Sequence, residues 1–206
     1  MLFRSIRKLT PTIGAEILGV DLSAPLSNSE FDAVHQALLD NLVVFFRDQT
    51  LTVEQHKAFG RRFGELHIHP NAPKPIEGHP EILVVQGDEN SKRVAGEVWH
   101  SDVSCDPEPP MGSILYITET PSNGGGDTSF VNMYAAYEAL SPTMRGWLEG
   151  CTAIHASLKS ANHQYRDKTA DMKFPESEHP IVRTHPETGR KALYVNRGFT
   201  TRSEEH

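Results

Sequence analysis

The sequence predicts a mixed α+β fold that is mainly β, with its helices early in the chain and short antiparallel strands later. Two capping boxes, Ser27/Glu30 and Thr52/Gln55, predict the starts of two helices. Beyond about Glu81, short apolar runs are separated by clusters of Gly, Pro, Asn and Asp, as in an antiparallel sandwich or barrel. The length of 206 residues suits one domain, which we predict to span residues 1–206.

The N-terminal part predicts two strands and two helices in alternation. The first helix extends from the Ser27 cap to about Asn41, and the second ends at Gly64. Apolar, β-branched and aromatic runs predict the strands Ile13–Val20 and Leu42–Phe46.

The remainder predicts mostly strands around a helical insert. The insert comprises Met133–Leu140 and a helix that begins at the Ser141-Pro142 cap and ends at Glu149. Lys159–Glu178 is polar and predicts a loop. No closing strand is predicted after the last hairpin, which would leave an open sheet edge where a second copy could pair. The predicted strands are Ile82–Val85, Val94–His100, Gly112–Thr118, Thr128–Val131, Thr152–Ser157, Ile181–His185 and Ala192–Asn196, with a turn at residues 186–189.

Composition excludes several classes of function. The formal net charge is −7 and there is no long basic run, so we predict no nucleic-acid partner. The longest apolar stretch, Leu42–Phe46, is too short to span a membrane. Two cysteines and no apolar leader predict a soluble cytoplasmic protein.

The strongest chemical motif is Trp99-His100-Ser101-Asp102. On a strand, residues two apart point to the same face, so His100 and Asp102 would project side by side. One imidazole and one carboxylate are two of the three ligands of an Fe(II) facial triad. By itself this spacing is common, and a surface His and Asp that happen to alternate are the more frequent case.

Other motifs carry less weight. His67 and His69 share the same spacing and, with His100, could form a zinc site, although polar residues on an edge strand are the simpler interpretation. The glycine-rich segment at residues 124–128 lacks the Lys-Ser/Thr of a phosphate loop and predicts a bend before a strand. Cys105 and Cys151 have no nearby His, so thiol catalysis is not expected.

Taken in order along the chain, the motifs resemble the TauD/TfdA family, the taurine dioxygenase-like Fe(II)- and α-ketoglutarate-dependent dioxygenases. The resemblance covers essentially the whole chain, and the motifs that carry it are residues 13–15, 46–49, 63–70, 99–104, 125–128, 183–186 and 195–202. It implies a double-stranded β-helix, or jelly roll, with flanking helices.

The resemblance also implies roles for individual residues. His100 and Asp102 match two iron ligands, and Thr128 matches the threonine that holds a carboxylate of α-ketoglutarate. O2 is the other cosubstrate in this family. Substrate-binding positions of the family match His69, Val103 and Phe199.

Three further positions depart from taurine-specific members, where a tyrosine, an asparagine and a phenylalanine complete the pocket. The corresponding residues are Ala72, Gly96 and Ala161, all smaller. We therefore expect a small organic anion other than taurine, such as a bulkier sulfonate, a sulfate ester or a carboxylate.

The family's second iron histidine and its α-ketoglutarate arginine lie in a C-terminal segment that has no match before His206. The sequence is thus interpreted as the N-terminal portion of the domain, with a jelly roll incomplete at its C-terminus. We expect residues 1–206 alone to bind iron weakly and to turn over little substrate. The alternative is a non-catalytic jelly-roll module that binds anions.

Overall fold

The computed structural model describes residues 5–69, 75–87, 96, 98–157 and 175–204. These residues form two compact units. The first takes its described residues from 1–68, 77–82 and 114–132, and the second from 69–76, 83–113 and 133–206.

The first unit is built on a three-stranded sheet and two capped helices. Strands β1 (Ser5–Lys8) and β2 (Ala15–Leu18) are antiparallel, and β3 (Val44–Phe45) pairs parallel to β2. Helices α1 (Asn28–Asn41) and α2 (Val53–Arg61) both have the predicted capping boxes, at Ser27 and Thr52. The two helix starts are confirmed because reciprocal side-chain bonds satisfy amides that the helix itself leaves unpaired.

An apolar core stabilises this first unit. Its buried members come from β2, α1, α2 and the intervening loop: Ile17, Leu22, Val34, Ala37 and Phe59. Phe63 packs edge-on against Phe59, with ring centroids 5.4 Å apart, and against Phe31 at 4.9 Å. Phe59 and Phe63, four positions apart, therefore both contribute to the core.

The second unit contains a three-stranded antiparallel sheet, a hairpin and two short helices. The sheet order is β10 (Thr200–Glu204), β6 (Thr152–Ala156), β7 (Glu176–Pro180). The hairpin joins β8 (Val182–Thr184) to β9 (Lys191–Leu193), as predicted.

Helices α3 (Met133–Glu138) and α4 (Pro142–Leu148) form the predicted helical insert. Ser141 caps α4 by accepting a hydrogen bond from the Met144 amide, with proline at the next position. Two further short strands complete the described elements, β4 (Pro75–Ile76) and β5 (His79–Leu83). No described helix has both the length and the apolar character that crossing a membrane requires.

Several strand predictions are wrong. Gly112–Thr118 and Thr128–Val131 have no strand, and neither do the described residues of Val94–His100. Leu115 and Ile117 are 66% and 59% exposed. Apolar runs form strands only where another strand satisfies their backbone groups, and the described residues supply none here.

The C-terminal prediction is also corrected. Thr200–Glu204 forms strand β10 beside β6, whereas no closing strand was predicted. The predicted loop Lys159–Glu178 overlaps β7, since residues 176–178 belong to that strand, while residues 158–174 lie outside the described ranges. The remaining predicted strands begin and end within three residues of the observed ones. Of the predicted strand Leu42–Phe46, only Val44–Phe45 is a strand.

Candidate metal centre

His100 and Asp102 lie together in the second unit. The Nε2 atom of His100 is 3.2 Å from Oδ1 of Asp102. The predicted proximity is confirmed, but its predicted cause is wrong, because His100 precedes a turn over residues 102–105 and no strand is present. The turn, rather than strand alternation, brings the two side chains together.

The backbone fixes the orientation of the His100 ring. Nδ1 lies 2.7 Å from the carbonyl oxygen of Val98, so Nδ1–H donates to it and Nε2 is directed toward Asp102. Metal-binding histidines in proteins generally donate a hydrogen bond of this kind from the ring nitrogen that does not bind the metal. It selects the tautomer that leaves Nε2 available as a ligand.

Asp102 is oriented in the same way by a neighbouring hydroxyl. The Ser113 hydroxyl donates to Oδ2, leaving Oδ1 facing His100. Ser113 is not among the predicted site residues, and it lies in a wrongly predicted strand. Only its closeness to the carboxylate in three dimensions reveals this role.

Each side chain of the pair favours the charged form of the other. The hydrogen bond with Asp102 raises the pKa of His100, helped by the Val98 carbonyl and the carboxylate charge and opposed by burial. The hydrogen bond from His100 lowers the pKa of Asp102, an effect opposed by burial and reinforced by Ser113 and by the charges of His100 and His69. A metal would therefore compete with the His100 proton.

The separation of His100 Nε2 and Asp102 Oδ1 suits two ligands of one metal ion. Ligands at right angles around a first-row metal, each about 2.1 Å from it, are about 3 Å apart. The observed 3.2 Å matches that separation without rearrangement. The side chains are 33% and 51% exposed, so an ion and further ligands can reach them.

His69 also belongs to the second unit and is close enough for its charge to act on Asp102. Among the described residues, no group of three His, Cys, Asp or Glu side chains is placed to hold a metal ion. The zinc alternative through His67, His69 and His100 therefore has no support in this part of the chain.

Val103 directly follows Asp102, and Phe199 directly follows Gly198, which packs against His100. Val103 is 8% exposed and has φ of +49°, a strained conformation for a β-branched residue. Phe199 follows Gly198, whose amide donates to the carbonyl of Trp99 at 3.0 Å. The Phe199 carbonyl in turn accepts from the Ala156 amide of β6 at 3.0 Å.

Gly198, also absent from the predicted site residues, packs against His100. A Cβ placed on it would lie 2.9 Å from Cβ of His100, closer than real Cβ atoms approach. Glycine at this position allows the 197–199 turn to pack directly against His100.

Thr128 belongs to the first unit and is exposed, and the predicted strand after it is absent. The structure therefore does not group it with the second-unit residues. Of the three small residues at family pocket positions, Gly96 is described and has φ of +89°, while Ala72 and Ala161 lie outside the described ranges. Cys105 is buried and Cys151 partly exposed, both as free thiols.

Comparison with known proteins decides the family. Residues 5–206 match the family model "Taurine catabolism dioxygenase TauD, TfdA family". The chain belongs to the TauD/TfdA family.

Relatives and solved structures agree with this membership. The chain is 33% identical over 212 residues to an alpha-ketoglutarate-dependent sulfonate dioxygenase of Saccharomyces cerevisiae, covering 97% of this chain and 51% of that relative. It is 33% identical over 211 residues to an alpha-ketoglutarate-dependent sulfate ester dioxygenase of Pseudomonas putida, covering 94% and 68%. A taurine dioxygenase structure from Burkholderia xenovorans superimposes with a TM-score of 0.78 and 37% identity, covering 97% of this chain and 65% of that one. The chain thus spans about half the length of the yeast relative.

Proposed function

We propose that this TauD/TfdA chain contributes to an Fe(II)- and α-ketoglutarate-dependent dioxygenase that hydroxylates a small organic anion. The observation that carries the proposal is the convergence of His100 Nε2 and Asp102 Oδ1 at 3.2 Å, each oriented by a second hydrogen bond. The jelly-roll architecture and the cytoplasmic location are part of the same proposal.

In this proposal, His100 and Asp102 hold the iron. When bound, Fe(II) with α-ketoglutarate and O2 supplies the oxidising power for hydroxylating a C–H bond. Val98 and Ser113 keep the two ligand side chains in their binding orientation. Thr128 is proposed, from the family resemblance, to bind a carboxylate of α-ketoglutarate.

His69 is proposed to bind the anionic group of the substrate. Its charge already acts on the Asp102 carboxylate, which supports a location at the site. A protonated imidazole that bonds an anion forms a charge-assisted hydrogen bond, stronger than a neutral one. Val103 and Phe199 are proposed to border the bound substrate and to orient its target carbon.

A substrate larger than taurine is supported by Gly96. A Cβ at Gly96 would lie 3.5 Å from Cε1 of His100, so a side chain here would occupy space beside a proposed ligand. Its absence leaves that space to the substrate. The relatives named for sulfonates and sulfate esters indicate the chemical classes to test.

The proposal is tested first by metal binding. Mn(II), an oxygen-stable substitute for Fe(II), is titrated into a purified protein that contains residues 1–206, and free Mn(II) is followed by electron paramagnetic resonance. His100→Ala and Asp102→Ala should each weaken binding at least about a hundredfold, whereas Asp32→Ala, an exposed carboxylate on α1, should leave it unchanged. Equal binding by all four proteins would contradict the proposed site.

Turnover is tested as succinate formation by a protein that contains residues 1–206. The assay supplies Fe(II), α-ketoglutarate, O2 and a panel of alkylsulfonates, sulfate esters and aryloxy carboxylates. Succinate should form with at least one of them and disappear in the His100→Ala variant. Anion binding that is independent of metal, without succinate, would favour the non-catalytic module instead.

A further inference from the structure

A buried polar cluster lies beneath the His100–Asp102 pair in the second unit. Its centre is His155 of β6, which is fully buried. Nδ1 of His155 is 2.9 Å from the hydroxyl of Ser104, also fully buried, and Nε2 is 3.4 Å from that of Thr200. The side-chain amide of Asn196 donates to the same Ser104 hydroxyl at 3.1 Å.

This cluster holds one end of the segment that contains the proposed ligands. Ser104 lies two residues after Asp102, and Val103 between them has the strained φ of +49°. A β-branched residue stays in this conformation only where neighbouring contacts impose it. The two bonds to Ser104 are contacts of that kind.

The same cluster holds the other end through the turn at residues 197–199. The side-chain Oδ1 of Asn196 accepts from the backbone amide of Phe199 at 2.8 Å. The backbone amide of Asn196 donates to the Thr200 hydroxyl at 2.9 Å. These bonds fix the turn, and the backbone amide of Gly198 in this turn donates to the carbonyl of Trp99 at 3.0 Å. Trp99 immediately precedes His100, so both ends of the segment 99–104 are tied to one network.

Aromatic contacts fix the His155 ring itself. It stacks on Tyr194 with centroids 5.4 Å apart and an interplanar angle of 14°, and it meets His179 edge-on at 5.4 Å. His179 Nε2 is 3.0 Å from the carbonyl oxygen of Asp106, beyond the far end of the same turn. The ring therefore has little freedom to move, and a residue bonded to it has little freedom as well.

We infer that His155 is a positioning residue, which acts through Ser104 and Asn196 to hold the segment 99–104 so that His100 and Asp102 converge on one metal ion. The inference rests on the proposed metal site and deepens it. His155 does not touch the metal or the substrate. Its removal should change metal affinity because the ligand atoms lose their fixed separation.

The experiment compares Mn(II) affinity among variants at a temperature well below unfolding. His155→Ala should weaken binding about tenfold, within the range measured when outer-shell partners of metal ligands are removed. Ser104→Ala should act in the same direction. Because Ser104→Ala removes only a hydroxyl group, it tests the inference even if His155→Ala does not fold.

Two conservative variants sharpen the test. His155→Asn places a side-chain amide near the former Nδ1 that can still bond Ser104, whereas the longer side chain of His155→Gln extends toward the former Nε2 and Thr200. His155→Asn should therefore restore most of the affinity that His155→Ala loses, and His155→Gln should restore less. The matched control is Ile154→Ala, the adjacent buried residue of β6. It should lower the melting temperature without weakening metal binding.

Three outcomes would overturn the inference. If His155→Ala and Ser104→Ala bind Mn(II) like the unsubstituted chain while His100→Ala does not, His155 has no positioning role and the metal site stands. If Ile154→Ala weakens binding as much as His155→Ala, the effect is one of general stability. If His100→Ala itself binds Mn(II) normally, the proposed function fails and the inference fails with it. Absorption of the Co(II)-loaded proteins gives an independent readout, since only displaced ligands change the Co(II) bands.

Discussion

The two compact units have interiors of different kinds. The first is packed with aliphatic and aromatic side chains around Val34 and Phe59. The second, around β6, buries histidines and hydroxyls that bond one another, with His155 and Ser104 fully buried. Apolar packing is non-directional, whereas hydrogen bonds fix angles and separations. The first interior therefore serves stability, and the second also serves geometry.

The largest expected effect lies in the apolar interior. Phe59→Ala removes a ring that packs against Phe46 and Phe63, and we expect a loss of about 3–5 kcal/mol of unfolding free energy. Urea denaturation measures this loss. The variant should keep its Mn(II) affinity under conditions where it is folded. A lower Mn(II) affinity in the folded variant would contradict the distinction between the two interiors.

The second prediction tests whether the polar interior excludes water as the apolar one does. Burial raises the pKa of the Cys105 thiol to about 11, with the charge of Asp106 adding to the effect. Alkylation requires the thiolate, so the roughly two-unit rise from 9.0 lowers the reactive fraction about a hundredfold near pH 8. Cys105 should react far more slowly than the partly exposed Cys151, and its rate should still rise with pH above 9.

The measurement is mass spectrometry of iodoacetamide-treated protein over time, with Cys105→Ser and Cys151→Ser variants to assign each thiol. Unfolding in urea should make the two rates similar. Equal rates in the folded protein would show that the interior beside Ser104 is open to reagent.

The third prediction concerns the close packing of Gly198 against His100. Gly198→Ala places a methyl group 2.9 Å from Cβ of His100 and should displace the imidazole. We expect about a tenfold loss of Mn(II) affinity, or about 1.4 kcal/mol. Gly146→Ala, where a Cβ meets nothing within 4 Å, is the matched control and should bind normally. Normal binding by both variants would contradict the described packing.

The smallest effect is expected from a helix cap in the first unit. Ser27→Ala removes the hydroxyl that accepts from the Glu30 amide at the start of α1 and should destabilise the protein by about 1 kcal/mol. Ser27→Asp, which retains a capping oxygen, should recover most of this loss. The melting temperature measures both variants, and metal affinity should be unchanged in each.

Local features of the fold could be predicted from the sequence to a useful degree. Helices α1, α2 and α4 begin where their caps predicted, because a cap is formed by residues only three positions apart. The hairpin from β8 to β9 was predicted for the same reason, since its turn is local. The His100-x-Asp102 pair was found from its spacing and residue types, although a turn replaces the predicted strand.

The wrong predictions share one physical cause. Gly112–Thr118 has the apolar, β-branched composition of a strand, but a strand exists only with a partner, and composition does not specify one. The converse error occurred at Thr200–Glu204, a polar segment that becomes a strand because β6 supplies its hydrogen bonds.

The amino-acid sequence alone therefore determined the capped helices, the hairpin, the family resemblance and the pair of candidate ligands. Only the tertiary structure decided how those ligands are held. Ser104 meets His155 across 51 positions and Asn196 across 92, and Ser113 meets Asp102 across 11. Such bonds depend on how distant segments pack, because no local pattern of side chains encodes which hydroxyl will face which ring.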